Sequence, residues 1–254
     1  MTTARLNYEL SGPAGAPWLL LAGSLGTTMA MWDPQLPALT AKFRLLRVDT
    51  RGHGASEVPA GPYTIADIAG DLLALLDMLQ IGAASYCGLS LGGMAGMWLA
   101  SHAPHRIGRL ALCCTSAWLP PADGWVARAA QVRAHGTASI RDQVVARWFT
   151  PTFRERDPAT AGWAAGMLAA TPAEGYAASC EAIAAMDLRP DLAAITAPTL
   201  VIAGLDDPAT PPRHGEAIAA AVAGARTALV PGAHLANVEA SEAVTGLLTA
   251  HLAG

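Results

Sequence analysis

Short apolar runs alternate with stretches of helical periodicity along most of this chain. Residues 18–22, 43–48, 84–87, 109–114, 199–203 and 227–230 are apolar runs of strand length that end near Gly or Asp. Runs of that kind, separated by helix-length segments, predict a mostly parallel sheet with crossover helices on its faces. Residues 7–10 fit an added edge strand. Ile68, Leu72, Leu75, Leu76 and Leu79 recur at helical spacing, and Thr64 with Asp67 forms a capping pair at the start of that helix. A second helix is predicted from just after Ser90 toward His102, ending before Pro104, and a last one from about Glu242 to Leu252.

Residues 120–191 break the rhythm. They hold no convincing apolar strand run and are rich in Ala, Arg and Trp, among them Trp125, Arg128, Arg133, Arg147, Trp148 and Trp163. The strand pattern resumes at Thr199, so the segment reads as a helical cap inserted between two strands, with 1–119 and 192–254 forming one α/β core. A cap at that point lies over the carboxyl edge of the sheet, where open α/β sheets bind their ligands.

Composition narrows the function classes. The chain has 254 residues, 14% charged and 52% hydrophobic. Against about 25% charged residues in an ordinary domain, that argues for a packed core and against a disordered tail. The formal net charge is -4, and Lys42 is the single lysine, so no basic stripe exists to hold a phosphate backbone and nucleic acid is not an expected partner. Cys87, Cys113, Cys114 and Cys180 have neither metal-site nor CxxC spacing and are expected as buried, reduced thiols. The N-terminus has no basic start followed by an apolar signal stretch, and no window approaches the roughly 18 consecutive apolar residues of a membrane helix. A soluble, cytoplasmic protein is the expectation; the oligomeric state is not encoded in these features.

The chemistry concentrates at Cys87-Gly88-Leu89-Ser90-Leu91-Gly92-Gly93, a Gly-x-Ser-x-Gly placed where a strand ends and a helix begins. A serine nucleophile at the tip of such a turn needs small neighbours two positions away on each side, because the backbones pass too closely for side chains. The base and the acid should follow in the order Ser, Asp or Glu, His. Of seven histidines, His53 precedes the serine, His102 and His105 flank Pro104 at a helix end, His135 lies in the cap, His214 follows a Pro-Pro-Arg turn and His251 sits on the last helix. His234, in Pro231-Gly232-Ala233-His234, follows the last strand directly, where a loop can bring imidazole over the sheet edge. For the acid, Asp206 and Asp207 both follow the strand at 199–203, and either can orient an imidazole. The oxyanion donors expected are the backbone N–H of Leu91, next to the serine, and that of Leu25 in Gly23-Ser24-Leu25-Gly26.

These residues resemble the α/β-hydrolase superfamily. Within it, Ser24-Leu25-Gly26-Thr27, Met31-Trp32-Asp33-Pro34-Gln35-Leu36-Pro37, Asp49-Thr50-Arg51-Gly52-His53-Gly54-Ala55-Ser56 and Gly61-Pro62-Tyr63-Thr64-Ile65 resemble the 3-oxoadipate enol-lactonase family. Arg147-Trp148-Phe149-Thr150-Pro151, Thr171-Pro172, Glu174-Gly175-Tyr176 and Ala197-Pro198-Thr199-Leu200-Val201-Ile202-Ala203-Gly204 extend the likeness through cap and tail. The resemblance implies an α/β-hydrolase fold and a catalytic set of Ser90, Asp207 and His234, the acid being the last residue of Gly-x-x-Asp. It implies opening of a small anionic enol-lactone through an acyl-enzyme, without metal or organic cofactor. Gly23 stands where the family often has Asn and Leu91 where it often has Met, which leaves the bracing of the oxyanion loop to be found. A substrate carboxylate calls for a cation; Arg128, Arg133 and Arg147 are candidates, with Trp118 and Trp148 as apolar walls. A broader carboxylesterase, lactonase or perhydrolase, or a ligand receptor on the same scaffold, are the competing readings.

Overall fold

The apolar runs become strands. The computed structural model describes residues 3–253. Among them the strands are β1 (Tyr8–Ser11), β2 (Trp18–Ala22), β3 (Arg44–Val48), β4 (Ala84–Leu89), β5 (Ile107–Cys113), β6 (Thr199–Gly204) and β7 (Arg226–Val230). They pair in one sheet in the order β1-β3-β2-β4-β5-β6-β7. Only β1 runs antiparallel, against β3. Leu19, Leu20 and Leu21 are consecutive and all buried, as are Leu110, Ala111 and Leu112. A strand covered on both faces has no polar alternation, which is why these strands read as unbroken apolar runs. Each such leucine contributes on the order of 1.5–3 kcal/mol by leaving water.

The helices are α1 (Leu36–Leu39), α2 (Ile65–Met78), α3 (Leu91–His102), α4 (Ala122–His135), α5 (Arg141–Trp148), α6 (Pro151–Arg156), α7 (Pro158–Ala170), α8 (Ala173–Ala185), α9 (Pro212–Ala221), α10 (Ala236–Glu239) and α11 (Ser241–Leu252). The start of α2 is a capping box: the Thr64 hydroxyl accepts from the Asp67 N–H at 3.0 Å, and the Asp67 carboxylate accepts from the Thr64 N–H at 2.9 Å. Helix α3 packs on β4 and β5, α9 on β6 and α11 on β5. Helices α4 to α8 all fall between β5 and β6, with α4 packed along α8.

Topology fixes where a site can form. Strand β2 has β3 on one side and β4 on the other, so the connections leaving β2 and β4 diverge. Their carboxyl ends open a crevice at the point where strand order reverses. The segment 23–27 leaves β2 there, and Ser90 leaves β4.

Candidate active site

Ser90 occupies the turn between β4 and α3 at φ 55° and ψ -112°. That conformation is costly for a residue with a side chain and persists only where its surroundings impose it. The Ser90 N–H donates to the Cys113 carbonyl at 2.9 Å, and the Ser90 carbonyl accepts from the Thr115 hydroxyl at 2.7 Å and the Met94 N–H at 2.9 Å. A Cβ on Gly88 would collide with the Gly92 carbonyl, and one on Gly92 with the Ala22 carbonyl. The two glycines of the pentapeptide are thus required by backbone crossing backbone.

The loop after β6 and the loop after β7 bring Asp207 and His234 together. His234 Nδ1 lies 2.8 Å from Asp207 Oδ2. The carboxylate also accepts from the Ala209 N–H at 2.7 Å, the Thr210 N–H at 3.0 Å and the Thr210 hydroxyl at 2.7 Å. Burial pushes the Asp207 carboxyl up. The His234 charge, with hydrogen bonds from His234 and Thr210, outweighs burial and holds it below the ordinary carboxylate value. With Nδ1 engaged by a carboxylate, Nε2 is the nitrogen left to exchange a proton. Asp206, the alternative in the sequence, is exposed and its neighbour carries these contacts.

The N–H groups of Leu25 and Leu91 enter no hydrogen bond among the described residues, although both residues are buried. Buried amides without partners are free to meet a developing anion. The segment that carries Leu25 is braced by His53, whose Nε2 accepts from the Gly26 N–H at 2.9 Å while Nδ1 lies 3.0 Å from the Arg51 carbonyl. Nδ1 therefore carries the proton. Burial pulls the His53 pKa below its ordinary value, against the Arg51 carbonyl and Asp49, and this keeps the acceptor available. Sequence reasoning passes over His53 because it precedes Ser90; the Arg51-Gly52-His53-Gly54 turn is the signal that marks it. Thr27 completes the brace, its hydroxyl donating to the Ser24 carbonyl at 2.8 Å.

Ser90, His234 and Leu25 open into one cavity of about 600 Å³, roofed by α4, α5 and α8. Arg128, Arg147, Trp148, Trp125 and Tyr176 line it, and among the described residues no carboxylate does. Burial, then the neighbouring Arg128 charge, lowers the Arg147 pKa, as expected of two cations sharing a partly desolvated space. Arg133 lies elsewhere: its guanidinium is exposed and bound to Glu174 and Glu181. Trp118 is 42% exposed, stacks under Arg189 at 4.0 Å and lines a neighbouring cavity instead. Tyr176, which the cap motif Glu174-Gly175-Tyr176 marks but spacing does not, reaches the wall; burial raises its phenol pKa, with the Arg128 and Arg147 charges opposing.

Comparison with known proteins matches residues 17–241 to the α/β-hydrolase fold family. The chain is 42% identical over 238 residues to 3-oxoadipate enol-lactonase 2 of Acinetobacter baylyi, covering 94% of this chain and 89% of that one. The crystal structure of the enol-lactonase from Burkholderia xenovorans LB400 superposes with a TM-score of 0.97 at 44% identity, covering 99% and 97% of the two chains. A hydrolase from Pseudomonas aeruginosa PA01 superposes with a TM-score of 0.96 at 49% identity, over 99% and 95%. Among the described residues no helix is long and apolar enough to cross a membrane.

Proposed function

The chain belongs to the α/β-hydrolase family, and from that premise we propose that it hydrolyses 3-oxoadipate enol-lactone to 3-oxoadipate, a step in aromatic degradation. The observation that carries this reading is one cavity into which Ser90, His234 and Leu25 open, with Arg128 and Arg147 in its wall and no carboxylate lining it among the described residues. An esterase for neutral substrates has no use for two half-buried cations in its pocket. An anionic lactone does.

In the proposed reaction the Ser90 hydroxyl gives its proton to His234 Nε2 as Oγ bonds to the lactone carbonyl carbon. The oxygen that becomes an anion is held by the Leu25 and Leu91 N–H groups. Collapse of that intermediate breaks the ring C–O bond; the departing enolate takes the proton from His234, and the enol tautomerises to the ketone. A water molecule then attacks the acyl carbon, giving its proton to His234, which returns it to Ser90 as the acid leaves. Asp207 keeps its charge throughout, fixing the imidazole tautomer and stabilising the imidazolium. Arg128 and Arg147 hold the substrate carboxylate, Trp148 forms an apolar wall, and residues 120–191 act as the cap that supplies both. A cytoplasmic setting accords with four buried cysteines that form no disulfide.

The test follows loss of the enol-lactone's ultraviolet absorbance, with Ser90→Ala beside the intact protein. Turnover abolished by the substitution is the expected result. Failure to consume the lactone, with Ser90-dependent cleavage of activated esters, overturns the substrate and leaves the serine mechanism standing.

A further inference from the structure

We propose that Glu239 is a positioning residue that clamps the His234 loop to the cap segment carrying Arg147 and Trp148, holding base and anion-binding wall in one register. The inference rests on His234 acting as the base. Glu239 ends α10, five residues beyond His234, and is half-buried at the seam between cap and core. Its Oε2 accepts from the Ala233 N–H at 3.0 Å, immediately before His234, and from the Thr150 N–H at 3.2 Å, in the cap. Its Oε1 accepts from the Thr150 hydroxyl. One carboxylate therefore receives donors from both sides of the seam.

The rest of the seam runs parallel to this clamp. The His234 N–H donates to the Arg147 carbonyl at 3.4 Å and the Leu235 N–H to the Trp148 carbonyl at 2.9 Å. The first of these is long, so His234 itself is not firmly tied by its own backbone. The short α10 that presents Glu239 is in turn anchored to the core. Asn237 Nδ2 donates to the Met31 carbonyl at 2.8 Å, and Gln35 Nε2 donates to the Asn237 carbonyl at 2.7 Å. Gly232, at φ 104°, leaves the room the side chain needs, since a Cβ there would stand 3.0 Å from Glu239 Cδ. Glu239 is thus a fixed post between the histidine loop and the turn from α5 to α6.

The geometry separates reach from charge. Glutamine keeps the length: its oxygen can take the two backbone N–H groups while its amide donates to the Thr150 hydroxyl oxygen. Aspartate keeps the charge but is one methylene shorter and cannot span both sides. Steady-state kinetics on Glu239→Gln and Glu239→Asp, at a temperature well below each melting point, therefore decide the matter. The substrates are the enol-lactone and p-nitrophenyl acetate. Expected for Glu239→Asp is a kcat lowered about tenfold or more on both substrates, with KM raised on the anionic lactone only. Glu239→Gln should retain kcat within about threefold on both. Wild-type kcat in Glu239→Asp, or a loss in Glu239→Gln as large as that in Glu239→Asp, overturns the proposal. If the intact protein ignores the lactone, the ester comparison alone still decides the role of Glu239, while Ser90→Ala on the ester tests the catalytic reading separately.

Discussion

Replacing Asp207 by asparagine tests the catalytic reading most sharply, because its contacts dictate which way the amide must face. The Ala209 and Thr210 N–H groups both donate to Oδ1, so the asparagine oxygen is held on that side. The amide NH2 then points at Thr210 and at His234 Nδ1, where Oδ2 accepted before. Two donors cannot face each other, so His234 must accept at Nδ1 and carry its proton on Nε2, the atom that receives the proton from Ser90 in the proposed mechanism. A histidine in the wrong tautomer costs about 10⁴ in kcat, or roughly 5–6 kcal/mol of barrier, with little change in fold. The assay is steady-state kcat on the lactone, or on an activated ester, beside far-ultraviolet circular dichroism to show retained structure. Asp206→Asn is the matched control and should stay within about twofold, its side chain being exposed. An Asp207→Asn variant within tenfold of wild type would sink the assignment of Asp207 as the orienting acid.

The remaining predictions are briefer. Arg128→Gln and Arg147→Gln should each raise KM for the anionic lactone about tenfold or more while leaving a neutral ester unaffected, the usual loss for a charge-assisted hydrogen bond; Arg133→Gln, whose guanidinium binds Glu174 and Glu181 at the surface, should change neither. Gly92→Ala forces a Cβ against the Ala22 carbonyl and should cost about 3 kcal/mol, lowering Tm by roughly 6–12 °C in calorimetry. His53 has a folded pKa below its ordinary value of 6.5, so as pH falls the unfolded chain takes up the proton first. Stability is then full above pH 6.5 and declines below it, toward the folded pKa. Urea titrations from pH 7.5 to 5 should show a shallower decline in His53→Gln than in the intact protein; equal slopes would refute the linkage.

Much of this was readable from the chain, and the parts that were not share a cause. The core strands announce themselves because burial on both faces removes polar alternation, and Ser90 because its turn excludes side chains at Gly88 and Gly92. Chain order then selects His234. Edge strand β1 is the faintest, since Tyr8 and Glu9 face solvent and leave no apolar run. Spacing alone left Asp206 and Asp207 equivalent; their difference lies in which side the loop turns toward Thr210, a property of the folded loop. The arginines show the same limit. Arg133 and Arg147 look alike in sequence, yet one meets two carboxylates across α4 and α8 while the other faces the cavity. Composition reports that cations are present in the cap, but only packing decides which ones are already neutralised.

The proposed cap, residues 120–191, is better understood as a wall than as a lid. Gly52, in the turn that carries His53, touches Gly175 at the start of α8 so closely that neither tolerates a Cβ, and Gly175 adjoins Tyr176 in the cavity wall. On the opposite side, Glu239 joins Thr150 to Ala233. One fastening sits beside His53, which braces the proposed oxyanion loop, and the other beside His234, the proposed base, so both halves of the proposed chemistry are referred to the segment 120–191. A group held in place before substrate arrives needs no reorganisation as charge develops, which is where electrostatic catalysis gains most of its effect. The strained Ser90 fits the same logic: its backbone is fixed by Cys113, Thr115 and Met94 on the core side. On the proposed mechanism, specificity for an anion and alignment of Ser90, His234 and Asp207 therefore depend on shared contacts. A substitution that loosens the cap should weaken binding and turnover together, whereas one inside the cation pair should weaken binding alone.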